Sequence, residues 1–454
     1  MRLAICFLLL SACVTSASAA ERSLEDFRHL VHTGTWTERW PDDGVPRAVT
    51  AEVWTQAMQA VLETQTTLRI PARAQAYYLD GPIILKSGQR LIADPQAEIR
   101  LCPGTNTCMV RNEHIVDFSE QPVPEETQPD VDISIEGGIW TTLATSHKET
   151  NGNMRGACAG ENAVHGTHGV ILLHNARQVS VRHITVRQSK AFAVHLANVR
   201  NFLVEDVNLD RHRRDGVHVN GPASKGVIRH VRGDSADDTV ALNAWEWRNY
   251  APSFGPIHDI IIEDVAGTPA DVHAANSIRL LPGVKHFKDG TTLACPIHDV
   301  VIRDIKDIRE FKLYDQPNLE LGREKDSSIG VGELRGIHFE GLVLHFPARI
   351  EVHANTSSLS IRNVRLVDPR KPLVFIGPKS ATYKHGPDPA RWTEIFSPAL
   401  DCTVKDLTIE DVRAQDSDIA LSADEVVKVI EQKPNPDYPK TMPMGGTGKG
   451  IWIR

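Results

Sequence analysis

The stretch AFAVHLANVRNFLVEDVNLDRHRRDGVHVNGPASKGVIRHV, residues 191–231, decides how this chain folds. Apolar and polar residues alternate through AFAVHL, FLVEDV, DGVHVN and GVIRHV, and valine dominates. That is the period-two signature of strands, not the 3.6 period of a helix. The stretch also repeats itself. FLVEDV ends at Val207 and GVIRHV at Val231, each reading apolar, any, apolar, two polar or small residues, apolar, with Gly226 in the first apolar place of the second.

The same pattern extends in both directions. It reads VSVRHI ending at Ile184, IIIEDV at Val265, VVIRDI at Ile305, IHFEGL at Leu342, LSIRNV at Val364 and LTIEDV at Val412. Successive endings differ by 23, 24, 34, 40, 37, 22 and 48 residues, so the basic unit is about 23 and the longer steps carry insertions. A second strand lies earlier in each unit: HGVILL at His168, AFAVHL at Ala191, DGVHVN at Asp215, DTVALN at Asp238 and NSIRLL at Asn276. Val170, Val194, Val217 and Val240 recur at steps of 24, 23 and 23. Short strands separated by turns at this period predict an all-β, single-stranded, right-handed parallel β-helix, a solenoid whose inward Val, Ile and Leu form one continuous core.

An open coil exposes unpaired edges and needs covering. Residues 50–65 predict an N-terminal capping helix, with Thr50 at the N-cap and Trp54, Met58, Val61 and Leu62 on one face. Ahead of it, Arg2, the apolar run Leu3 to Leu10 and Ala17-Ser18-Ala19 read as a signal peptide over residues 1–19, so the chain is expected to be secreted or periplasmic. Leu10-Ser11-Ala12-Cys13 offers a competing lipid anchor on Cys13. The organisation expected is then an N-terminal extension at 20–44, the β-helix catalytic domain at 45–415 and a C-terminal extension at 416–454, which is Pro- and Gly-rich over 433–449.

Composition narrows the function. The 454 residues are 41% hydrophobic, enough for an ordinary core, and 50 basic against 58 acidic residues leave a net charge of -8. Nucleic acid is excluded as a general partner, because phosphate affinity needs clustered cations. No later segment reaches ~20 apolar residues, so no transmembrane segment is expected. Beyond the leader stand Cys102, Cys108, Cys158, Cys295 and Cys402. Cys102 and Cys108 bracket a turn-rich stretch and either close a small disulfide loop or stay as buried thiols. No CxxC pair or HExxH helix is present; no metal site and no cofactor are expected.

Stacking turns equivalence along the chain into proximity. Val217 and Val240 occupy the same place in successive coils, so Asp215 and Asp238, each two residues earlier, become neighbours about 4.8 Å apart, with Asp237 beside them and Asp234 in the same turn. Crowded acids raise at least one pKa, which sets a proton donor beside ionised carboxylates, the division of labour that glycoside hydrolysis needs. The competing readings are turn-capping aspartates and a calcium site built from the same oxygens.

These residues resemble the pectinase-type (pectin lyase-like) right-handed parallel β-helix superfamily, and most of all the family 28 glycoside hydrolases, the polygalacturonase-like enzymes. Arg213-Arg214-Asp215-Gly216 stands where that family has Asn-Thr-Asp-Gly, and Asp237-Asp238-Thr239-Val240-Ala241 where it has Asp-Asp-Cys-Ile-Ala. PIILKSGQRLIADPQAEIRL is similar to the superfamily's opening coils. The resemblance implies Asp238 as general acid, with Asp215 and Asp237 activating water for an inverting displacement. Two motifs differ: the family's Gly-His-Gly gives way to the insertion ALNAWEWRNYAPSFGPIHD, and its Arg-Ile-Lys to Arg279-Leu280-Leu281, which keeps the Arg and loses the Lys.

The offset that places His195 and His218 one residue past their valines also places Ala241 and Arg279, giving an outward column expected to bind sugar. Trp245, Glu246 and Trp247 follow the second acidic motif and are candidates for stacking on a sugar ring, with Glu246 a further acid. The expectation is an exported glycoside hydrolase acting on plant or algal polysaccharide or its oligosaccharides. A polysaccharide lyase using Arg279 and calcium, and a non-catalytic carbohydrate-binding β-helix, are the alternatives.

Overall fold

The computed structural model describes residues 22–40, 42–105, 107–143, 169–246, 251–268, 276–313, 332–345, 348–367, 372–377, 381–385, 393–397 and 402–429. The expected signal peptide at 1–19, Cys13, Cys158, Trp247 and the tail at 433–449 lie outside these residues. Each coil lays its strands in parallel on the next. Strand Gly169–Arg187 pairs with Phe192–His212, which pairs with Val217–Ser235, and the order continues through Ile257–Gly267, Ile297–Lys306, Glu333–Leu344 and Asn355–Leu366 to Val404–Ala414. This is a parallel β-helix. Its pairing runs past residue 415, because Val427–Val429 pairs in parallel with Val374–Ile376.

The repeat motif owes its shape to two bends. The residue before each motif's last apolar position has a left-handed backbone: His183, Asp206, His230, Asp264, Asp304, Gly341, Asn363 and Asp411 all have φ between 51° and 68°. Five residues earlier stand Gln178, Asn201, Lys225, Asp259, Asp299, Gly336, Ser358 and Asp406, also left-handed. Asn, Asp and Gly tolerate that conformation best, so the bends select the polar or small residues that punctuate every unit. Between them the apolar places point inward and stack, as in Val181, Val204, Ile228, Ile262, Ile302, Phe339, Ile361 and Ile409. Gly226 breaks its ladder because Phe202 of the preceding coil fills its place; a Cβ there would sit 2.0 Å from the Phe202 Cζ.

One further pattern becomes visible only with the register. The polar place just before the left-handed residue alternates in sign: Glu136, Arg182, Glu205, Arg229, Glu263, Arg303, Glu340, Arg362 and Glu410 are consecutive partners across nine coils. Arg182 lies 3.2 Å from Glu136, Arg303 Nε 2.8 Å from Glu263, and Arg362 2.9 Å from Glu410. Exposed pairs of this kind stabilise little one by one. As a ladder they favour one stacking order, since skipping a coil would bring like charges together.

The N-terminal end differs from expectation in detail. Thr50 is no N-cap: it lies in strand Pro46–Val53, which pairs antiparallel with His32–Arg39. The helix spans Thr55–Thr64, its N-cap position is Trp54, and Trp54 N–H donates to the Tyr78 carbonyl. The β-branched run Val49-Thr50 and its alternation favour the hairpin over an early helix start. Met58, Val61 and Leu62 are buried in the main core, together with Trp54. The first coil is also shifted by one: Ile171, not Val170, partners Val194. Cys102 is a free buried thiol, so no disulfide closes the Cys102–Cys108 loop, and burial, with the Asp80 and Glu38 charges, pushes the thiol up to about 12. Cys108, Cys295 and Cys402 are buried. Among the described residues no helix is long and apolar enough to cross a membrane.

Candidate active site

The acids sit on a turn that two coils share. Asp215 precedes strand Val217–Ser235 and Asp238 opens strand Asp238–Asn243, and Gly216 N–H donates to the Asp238 carbonyl at 2.8 Å. Gly216 is needed for that approach: a Cβ on it would lie 2.5 Å from the Thr239 carbonyl oxygen. Thr239 is itself a bulge. Asp238 pairs with Ser277 and Val240 with Ile278, which leaves Thr239 without a partner in register. A bulge re-aims the side chains beside it. The carboxylate oxygens of Asp215, Asp237 and Asp238 come within 4.8 Å of one another, as stacking required.

Cations surround the trio. Asp238 is fully buried; its Oδ1 accepts from Ser277 Oγ at 2.6 Å and Lys312 Nζ at 2.9 Å, while Arg279 lies 2.8 Å from Oδ2. Asp215, also fully buried, accepts from His218 Nδ1 at 2.7 Å and stands 3.7 Å from both Arg214 and Arg279. Asp237 keeps 30% of its side chain exposed and pairs with Arg214. Among the described residues, Asp215 Oδ1 and Asp238 Oδ2 receive no hydrogen bond. Both atoms are buried, and the Arg214 and Arg279 guanidinium groups beside them stand where solvent otherwise would.

The surroundings separate the two titrating carboxyls. Burial alone would raise Asp215, but Arg214, His218 and Arg279 outweigh it and hold its carboxyl well below the usual range. Burial and the charges of Asp215 and Asp238 push Asp237 up to about 6, against the opposing pull of Arg214 and Arg279. His218 is raised too: burial disfavours its charge, but Asp215 on one ring nitrogen and Glu246, 3.5 Å from the other, prevail. Asn243 Nδ2 donates to Glu246 at 2.5 Å and fixes it there.

The outward column holds in register, His195 on His218, Ala241 and Arg279. All four are buried, Arg279 the least of them. His195 is fully buried with Nε2 on Asn220 Oδ1 at 2.7 Å, and meets His218 edge-on at 5.3 Å; it supports the site from behind and does not face a ligand. His218 stacks flat on Phe192, with centroids 4.0 Å apart. Trp245 is corrected as well. It belongs to the hydrophobic core and packs on Gly283, where a Cβ would meet its ring at 2.4 Å, so it seats the insertion and offers no open face for sugar. Trp247 lies outside the described residues.

Two cations beside the acids escape the sequence reading. Lys312 sets a second cation beside Arg279 from the next coil, where it is the register partner of Arg279. The strand Glu310–Leu313 that carries it is short, and its motif was not among the recognised repeats. Extending the column of outward positions by one coil would have found it. Arg214 was visible only as a letter in a motif, and its pairing with Asp237 depends on the turn. The acids are close enough to chelate a divalent ion, yet Arg214, Arg279 and Lys312 already engage them, and an ion would have to displace these cations.

No family model and no curated protein matches the chain. Solved structures do. A family 28 exopolygalacturonase of Yersinia enterocolitica is similar at 12% identity, over 89% of this chain and 84% of that one, with a TM-score of 0.45. The A-module of a mannuronan C-5 epimerase of Azotobacter vinelandii is similar at 10% identity, over 88% of this chain and 95% of that one, TM-score 0.42. So is PfbA, a surface adhesin of Streptococcus pneumoniae, at 13% identity, over 80% and 89%, TM-score 0.38. A hydrolase, an epimerase and an adhesin in one set leave the reaction to be argued from the site.

Proposed function

We propose that this chain is a glycoside hydrolase of the β-helix type, exported by the leader at residues 1–19, and that Asp237 is its general acid. One observation carries the reading: two carboxyl groups within 4.8 Å are pushed to opposite sides of the ordinary range, Asp215 down and Asp237 up to about 6. Carboxyls divided in this way can serve as proton donor and ionised partner at one pH. Asp237 is also the acid of the trio with an exposed side chain, so it is the one that can reach a glycosidic oxygen. The resemblance assigned the proton to Asp238, but that side chain is buried against Arg279, Lys312 and Ser277. Asp238 serves as the anchor that holds the two cations and, through its charge, keeps the proton on Asp237. Asp215, buried and steadied by His218, stays ionised beside Asp237 and supplies a fixed negative charge that favours the developing oxocarbenium ion through space.

Elimination fits less well. A lyase base must give up its proton, and Arg279 is driven the other way: burial works against its charge, but Asp238, Glu246, Asp215 and Asp237 raise its pKa further. The test is digestion of a glycan panel with product masses measured: hydrolysis adds the mass of one water per cleavage, elimination leaves a double bond and adds none. Asp237→Asn should lower sugar release by about 10²–10⁴-fold; retained release removes the assignment. The acids stand closer than the roughly 6.5–9.5 Å of most inverting pairs, so the anomer formed first tests the inverting displacement directly.

A further inference from the structure

The N-terminal hairpin reaches the site from outside the coil. Its strands, His32–Arg39 and Pro46–Val53, join the β-helix through Val53 beside Tyr78. From there it runs along the helix axis. Glu38 pairs with Tyr78 and lies 3.7 Å from Arg100 of the next coil, and Trp40 faces the Arg100 guanidinium at 5.0 Å. Further along the same column stand Thr141, Arg187 and Asp210. That is four strand-to-strand steps, about 19 Å. At the tip, Asp42 N–H donates to Gln188 Oε1 at 3.2 Å, Asp42 Oδ1 lies 2.6 Å from Arg213, and Oδ2 pairs with Arg211.

We propose that Asp42 is a positioning residue for the acid-bearing turn, clamping Arg211 and Arg213 so that Arg214 stands between Asp215 and Asp237. The clamp acts on the backbone two residues from Asp215. The backbone of the turn is tied to its neighbours by Arg213 N–H to the Ser189 carbonyl, Ala236 N–H to the His212 carbonyl, Ala193 N–H to the Asp215 carbonyl and Gly216 N–H to the Asp238 carbonyl, and the clamp adds side-chain ties at Arg211 and Arg213. Three arginines occur in four residues of this turn. Asp42 engages two of them and leaves the third to the acids. The groups that face Asp237 are Asp215, Asp238, Arg214 and Arg279; Arg214 and Asp215 ride on the clamped turn, and Asp215 is held besides by His218 and by Ala193 N–H on its carbonyl. The role rests on the hydrolase reading for its catalytic consequence, but its structural consequence can be read without a substrate.

The experiment compares Asp42→Ala with the wild type in two ways. In the first, the shift in urea midpoint caused by Asp237→Asn at pH 8 is measured in both backgrounds. Releasing the turn withdraws Arg214, the ionised Asp237 is less compensated, and the shift is larger in the Asp42→Ala background. In the second, the pH profile of turnover moves its alkaline limb upward by about half a pH unit while kcat falls about tenfold at unchanged KM. An Asp237→Asn shift equal in the two backgrounds overturns the clamp, whatever the protein hydrolyses. A larger shift supports it even where no glycan is turned over, an outcome that would count against the hydrolase reading alone. Asp42→Asn, which sheds the charge and keeps the hydrogen bond to Gln188, repeats the comparison should the alanine variant not fold.

Discussion

Replacing Asp237 with Asn should stabilise the protein while disabling it. The Asp237 carboxyl is pushed from 3.8 up to about 6 in the fold, chiefly by burial and then by Asp215 and Asp238. A raised carboxyl favours the native state in its protonated form, so its contribution is complete below the unfolded value near 3.8 and is lost as pH rises through about 6. Two units at 1.36 kcal/mol each make the penalty of ionising the native protein about 3 kcal/mol above pH 7. The side chain is 30% exposed, and solvent screening trims this to about 1–3 kcal/mol. Asparagine keeps the shape, can still accept from Arg214, and carries no charge. Urea unfolding of both proteins at pH 4 and pH 8 checks it: near-equal midpoints at pH 4 and a higher midpoint for the variant at pH 8. An equal gain at both pH values would mean packing, not ionisation, and a loss at pH 8 would refute the electrostatic account of the site.

Three further outcomes follow from the same coordinates. Turnover should decline above about pH 6 as Asp237 loses its proton, a limb that a pH profile of kcat/KM locates. Lys312→Met should destabilise the fold by about 2–4 kcal/mol, since it strips a cation from the buried Asp238 carboxylate, and the paired change with Asp238→Asn should recover most of that loss in denaturation experiments. Gly226→Ala should cost about 1–3 kcal/mol because its Cβ collides with the Phe202 ring, and Phe202→Leu in the same chain should relieve the clash, a non-additivity that thermal melts would record.

Much of the architecture is legible without coordinates because it is local. Two left-handed residues five positions apart, with inward apolar residues at alternate positions between them, recur in each unit, so the strands and the coil length of about 23 can be read directly from the letters. The alternating Arg and Glu of the motif are equally plain in the letters, but they acquire meaning only as neighbours across coils. Where local signals compete, the reading slips: Thr50 looks like an N-cap until strand Pro46–Val53 finds its partner in His32–Arg39. The register error at Val170 has a similar origin, since HGVILL offers two adjacent apolar residues and only stacking on Phe192–His212 chooses between them.

The chain alone, then, determined the coil, its period and the meeting of Asp215, Asp237 and Asp238, because a repeat converts spacing along the polymer into distance between side chains. It did not determine which of the three keeps a proton. That follows from burial of the turn, from the mutual crowding of the acids, from Arg279, which the next coil places beside them, and from the turn that aims Arg214. The physical reason is one of range. Strand formation is settled within a few residues, whereas the ionisation of a buried carboxyl answers to every charge within several ångströms, and those charges arrive from coils whose insertions no repeat period describes.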